Sequence, residues 1–136
     1  MMGRSFPDFF PTDCPPTDAT EAGGVYYRLV GDDPPSQDDF RTYAELGLRP
    51  KDDFCLRCGL SMFPTVASAT NQYRHLRELF GDGLRIGPLV AEGELHAKDG
   101  KTKQTSKPPH ETWWPCEDVD RHSRFVVVRD VRDVES

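Results

Sequence analysis

No stretch of the chain approaches the roughly eighteen consecutive apolar residues that a bilayer-spanning helix needs, and Met1-Met2-Gly3-Arg4-Ser5-Phe6-Pro7 lacks the apolar centre of a secretion signal. A soluble, cytoplasmic protein with no membrane partner is therefore expected. Cations are also in deficit: 17 Lys+Arg against 23 Asp+Glu leave a net charge of -6, a field that repels polyanions and argues against nonspecific nucleic-acid binding. The local exception, Lys98, Lys101, Lys103 and Lys107, reads as a solvated hairpin tip. Several catalytic signatures are missing as well. There is no Gly-x-Gly-x-x-Gly, no phosphate loop ending in Lys-Ser/Thr and no Gly-x-Ser-x-Gly elbow, which excludes the dehydrogenases, nucleotide hydrolases and α/β hydrolases built on them. A zincin site is excluded for want of a second histidine at helical spacing.

Cysteines number only four: Cys14, Cys55, Cys58 and Cys116. With no export signal, reduced thiols are expected rather than a disulfide framework. Cys55-Leu56-Arg57-Cys58 has the spacing of a zinc knuckle that Cys116 with His110 or His122 would complete. The second tight pair of a zinc ribbon is absent, so no bound metal is expected. A redox role for the Cys-x-x-Cys pair is disfavoured because Gly59 follows it and leads into extended sequence.

The 136 residues suffice for one core of ordinary size. Residues 1–24 are Pro-, Asp- and Thr-rich with Phe6, Phe9 and Phe10 as the sizeable apolar groups, and read as a mobile arm or one pinned in extended form. Residues 25–136 read as a single small α+β domain, with two helices early and mostly antiparallel strands late in a split sheet. Val25–Val30 is β-branched and aromatic between glycine and proline turns, hence a strand. Ser36, with Asp39 three residues on, starts a short helix to Leu46 that Gly47 ends, with Phe40, Tyr43, Ala44 and Leu46 or Leu48 on its buried side. Leu60–Phe63 is extended, and Thr65 caps a helix to Phe80 whose apolar residues recur at three- and four-residue steps. Asp99-Gly100 predicts a two-residue hairpin turn, and His110–Trp114 and Arg124–Val128 predict further strands.

Three polar residues fall in strands where a purely structural sequence favours apolar ones: Arg28, Ser61 and Glu111. A strand arginine, then Leu60-Ser61-Met62-Phe63 leading into an amphipathic helix, then a strand glutamate, is an order that resembles the Arg-Ser-Glu class of ADP-ribosyltransferases and related small NAD-consuming toxin-like domains. The likeness spans Val25 to Val128 in element order and those three positions. It implies an NAD-dependent transferase or NAD glycohydrolase of a toxin, effector or defence system, with NAD as substrate. Arg28 would then clamp the phosphates with its planar fork. Ser61 would hold the nicotinamide ribose, and Glu111 would stabilise the oxocarbenium-like centre. Tyr26, Phe63 or Trp113 would wall the nicotinamide ring. The family's second motif usually reads Ser-Thr-Ser where this chain has Ser61-Met62-Phe63, and Pro109 stands where an acidic residue helps select the acceptor.

The competing reading is a non-catalytic protein-binding module. Trp113-Trp114-Pro115 favours it, because adjacent strand residues point to opposite faces, leaving one indole as an exposed anchor for a protein partner. The acidic balance suits a basic partner.

Overall fold

The computed structural model describes residues 5–105 and 107–132. It shows an α+β domain with two antiparallel sheets. In one, strands β2 (Gly24–Val30), β4 (Leu89–Leu95) and β7 (Val126–Asp130) lie in the order β2-β4-β7. In the other, β1 (Thr20–Glu21), β3 (Leu60–Met62), β5 (Gly100–Gln104) and β6 (Glu111–Pro115) lie in the order β1-β5-β6-β3. The sheets are hinged at one corner, where Tyr27 and Phe63 exchange backbone hydrogen bonds of 2.8 Å in both directions. The fifteen-residue helix is α3 (Val66–Phe80), and two four-residue helices, α1 (Tyr43–Leu46) and α2 (Phe54–Arg57), precede it.

Strand alternation sorts side chains into three apolar layers. Tyr26, Val30, Ala91 and Leu95 from the three-stranded sheet meet Leu60, Met62 and Trp113 from the four-stranded one, with Phe40 and Phe125 packed at 4.8 Å between ring centres in the same core. On the far side of the three-stranded sheet, Tyr27, Leu29 and Val90 face Val66, Ala69 and Tyr73 of α3. The outer face of the four-stranded sheet carries Trp114, covered by Phe6, Phe10, Cys14 and Ala19 of the N-terminal segment and by Ala44 and Cys55.

Several expectations hold and several are corrected. Helix α3 starts at its Thr65 cap, whose hydroxyl accepts from the Ser68 amide, and stops at Gly81, where φ is 54°. The helix read over residues 37–46 is instead two pieces. A 3-10 turn at Gln37–Phe40 drops Phe40 into the core, and the chain is extended at Arg41 before Thr42 restarts it as α1. The restart is built by a second capping box: Glu45 N–H donates to Thr42 Oγ1 and Thr42 N–H to Glu45 Oε1. Consequently Leu46 and Leu48 are exposed rather than buried. Asp99-Gly100 does not close a hairpin, because β4 and β5 belong to different sheets and the 3-10 turn Ala97–Asp99 carries the chain from one to the other. Lys103, read as hairpin-tip cation, pairs with Asp18 at 2.9 Å.

The cysteine expectation is overturned at one pair: Cys14 and Cys55 form a disulfide, while Cys58 is a buried free thiol and Cys116 is buried outside that bond. Sequence spacing hid it because the bond spans 41 residues and joins the N-terminal segment to α2. With Cys55 so engaged and His110 bonded to Ser61, the knuckle's ligand set is not assembled, and among the described residues no group of three or more His, Cys, Asp or Glu side chains could hold a metal ion. Residues 5–24 pack against the body through this bond, the phenylalanine contacts and Glu117 N–H donating to Ser5 O at 2.9 Å. The expectation of one outward indole is corrected too. Trp113 and Trp114 do point to opposite faces, but both are 0% exposed because both faces are covered. Among the described residues no helix is long and apolar enough to cross a membrane.

Two measurements check this packing. Trp113→Ala and Trp114→Ala should each lower unfolding free energy by about 3 to 5 kcal/mol in denaturant titrations. Cys14→Ser, which opens a loop of 41 residues, should cost about 2 to 4 kcal/mol and leave a folded chain.

Candidate functional site at the Ser61 corner

The polar residues singled out in the strands come to the corner where β2, β3 and β6 meet. Register fixes their faces. Met62 pairs with Glu111 and Ser61 with Thr112, so Glu111 shares the inner face with Met62 and Leu60, while Ser61 and Thr112 share the outer one. Leu60 and Met62 are buried on the inner side and Ser61 is exposed on the outer side, as the alternation requires.

On the outer face Ser61 enters a chain of hydrogen bonds. Its Oγ lies 2.9 Å from His110 Nε2, and His110 Nδ1 lies 3.0 Å from Thr105 Oγ1, which is 2.6 Å from Thr112 Oγ1. The ring is held by its neighbours: Thr105 N–H donates to His110 O at 3.0 Å, and Phe63 meets the imidazole edge-on at 5.5 Å. Burial lowers the His110 pKa below its ordinary 6.5, with a smaller push from the Arg28 charge and a backbone contact at Thr105 acting the other way. His110 is therefore neutral at neutral pH. With its proton on Nδ1, it donates to Thr105 and accepts from Ser61, an arrangement that polarises a serine hydroxyl in the manner of a nucleophile and its base.

Arg28 reaches the same corner but is occupied. Its Nε donates to Asp39 O at 2.9 Å and its Nη1 to Ser61 O at 3.0 Å, and the guanidinium stacks 5.2 Å from the Phe40 ring centre. Burial drags it down to about 10, still charged at neutral pH. Two donors that would grip a diphosphate instead satisfy backbone carbonyls at the junction of the sheets.

The six positions named from sequence thus separate. Arg28, Ser61 and Phe63 meet at the corner. Glu111 lies on the other face of its strand from Ser61, without a hydrogen-bond or salt-bridge partner among the described residues, and burial alone raises its pKa. Tyr26 and Trp113 are core residues: the Tyr26 hydroxyl lies 3.4 Å from Thr102 Oγ1, and Trp113 Nε1 donates to Asp99 O at 3.1 Å. Neither offers a free face to a nicotinamide ring. Two surface hollows lie elsewhere, one of ≈ 400 Å³ beside Cys116 and the Asp99–Arg124 pair, the other of ≈ 690 Å³ between α3 and Leu84, Ile86 and Val131. None of the six lines either hollow.

Sequence reading weighed His110 as a zinc ligand and missed it as a partner of Ser61, because neighbouring strand residues such as His110 and Glu111 point to opposite faces. The available signal was the His110-x-Thr112 alternation, which put both on one face; that Ser61 sits across from Thr112 is a matter of register. No family model matches the chain, and neither a curated protein nor a solved structure does.

His110 and Glu111 pull stability in opposite directions with pH. A histidine with a depressed folded pKa binds fewer protons folded than unfolded, so its penalty is absent above 6.5 and grows as pH falls through that value. A glutamate with a raised folded pKa binds more protons folded, so its penalty appears as pH rises above 4.5. His110→Gln should therefore flatten the loss of stability just below 6.5, and Glu111→Gln should raise stability at neutral pH and give no gain below 4.5. Denaturant titrations across pH, with NMR titration of His110, check both signs.

Proposed function

We propose that this chain is a non-catalytic protein-binding module whose contact surface is the α1–α2 face. One observation carries the reading. Of the large apolar side chains exposed in the described residues, Leu46, Leu48, Phe54 and Leu56 are 47%, 47%, 40% and 42% exposed and fall within eleven consecutive residues. A clustered patch of this kind is what soluble proteins otherwise avoid, and it marks association surfaces.

The patch is held in shape. Arg57 Nε donates to Leu48 O at 2.8 Å and its guanidinium lies 5.4 Å from the Phe54 ring centre, tying the residues after α1 to α2. Asp53 caps α2 by accepting from Leu56 N–H at 3.0 Å, and the Cys14–Cys55 bond fixes that helix to the N-terminal segment. Such preorganisation lowers the entropy lost on binding. The net charge of -6 suits a partner segment with an apolar anchor and a basic rim. The transferase-like reading has less support, since Arg28 is spent on carbonyls and Glu111 faces away from Ser61.

The test compares wild type with Phe54→Ala and Leu48→Asp in cross-linking from the native cell, followed by affinity measurement with the purified partner. Phe54→Ala should weaken binding by about 2 kcal/mol or more, while the unfolding free energy moves by no more than about 0.5 kcal/mol. Unchanged affinity in both variants overturns the assignment, and nicotinamide released from NAD by the purified protein returns the function to the transferase class.

A further inference from the structure

We propose that Cys14, Cys55 and Cys58 form one thiol–disulfide exchange site, in which Cys58 displaces Cys14 from Cys55 and so unfastens the N-terminal segment. This rests on the cysteine cluster alone and is independent of what the α1–α2 face binds.

The three sulfurs belong to a single packed group. Cys14 and Cys55, joined to each other, pack against the buried cluster of Cys58, Trp114 and Ala19. Cys58 follows Cys55 by one helical turn: its N–H donates to Cys55 O and to Phe54 O, each at 3.1 Å. Residues three apart on such a turn share a face with Cβ atoms about 5 to 6 Å apart. A disulfide needs them at about 3.5 to 4.5 Å. A small tightening of one turn therefore brings Cys58 to Cys55, which is joined across 41 residues to Cys14. Cys55 and Cys14 are half-buried and Cys58 is fully buried, so the resting bond lies at the edge of the cluster and the spare thiol beneath it.

The exchange is balanced without an outside oxidant. Cys58 gives up its proton and its thiolate attacks Cys55 Sγ; the Cys55–Cys58 bond forms, the Cys14–Cys55 bond breaks, and Cys14 leaves as a thiolate that takes up a proton. Among the three sulfurs, one disulfide and one thiol are present before and after. Burial pushes the Cys58 thiol up to about 11, which keeps the thiolate scarce and the exchange slow while the cluster is closed. Once Cys14 is released, residues 5–19 lose their covalent tie. They keep the Phe6 and Phe10 contacts, the Glu117–Ser5 backbone hydrogen bond and the Asp18–Lys103 pair, so the cover over Trp114 is then held by non-covalent contacts.

The sequence supplies a direct readout. Trypsin cuts after Lys51, Arg57 and Arg74, placing Cys55 in fragment 52–57 and Cys58 in fragment 58–74. Wild type and Cys58→Ser are incubated in mildly alkaline, thiol-free buffer, quenched in acid, denatured, alkylated, digested and mapped by mass spectrometry. In wild type the joined 52–57/58–74 species should rise at least about tenfold over its starting level, with the alkyl label moving from Cys58 to Cys14. Cys58→Ser should retain the Cys14–Cys55 bond throughout. A wild-type chain that keeps its label on Cys58, or that joins Cys55 to Cys116 instead, overturns the proposal.

Discussion

Two adjacent tryptophans on one strand impose the constraint on which the architecture rests. Trp113 and Trp114 must point to opposite faces of β6, and both are fully buried, so the four-stranded sheet has to be covered on both sides. The three-stranded sheet covers one side. The other falls to the N-terminal segment, a Pro-rich stretch whose described residues form no helix, which is why its phenylalanines and its disulfide matter more to the fold than its composition suggests. Trp113 donates to Asp99 O in the turn that links the sheets, and Trp114 to Cys55 O at 2.8 Å in the layer that covers it.

The corner between the sheets shows how polar side chains are spent where strands from two sheets meet. Arg28 supplies the donors that Asp39 O and Ser61 O need, and the Asp39 carboxylate in turn accepts from Gly31 N–H at 2.8 Å and Ser36 N–H at 2.9 Å, closing the loop after β2. Farther round, Arg121 reaches Phe40 O and the Glu45 carboxylate at 2.8 Å, and Arg124 pairs with the buried Asp99. Arg28 and Arg121 thus do structural work by filling backbone acceptors beside the buried Phe40, and Arg124 by pairing with a buried carboxylate. The same residue types, read along the sequence, look like an anion clamp.

The cysteines divide by depth. Cys14 and Cys55 lie where the covering segment meets α2, and their bond fixes that contact; Cys58 sits beneath them, and Cys116 borders the hollow near Asp99 and Arg124. Covering one face of a sheet with the segment of residues 5–19, which forms turns but no helix or strand, leaves few backbone hydrogen bonds to hold it. A covalent tie at its midpoint offsets that shortage.

The sequence by itself determined the elements whose signals are local. The α+β class, the capped helix after Thr65, the strands at Val25–Val30 and around Trp113, and the capping box at Ser36 follow from periodicity, caps and turn residues, which act within a few neighbours. What tertiary structure alone decided involves partners far apart in the chain. The pairing of Cys14 with Cys55 spans 41 residues and Ser61 with His110 spans 49. The routing of β4 and β5 into different sheets, and the placing of Glu111 on the inner face and Ser61 on the outer, depend on register between strands. A one-residue change of register inverts every face assignment while leaving each strand's own alternation intact. Composition and spacing therefore named the polar strand residues, and only the packing of two sheets against each other decided which of them meet.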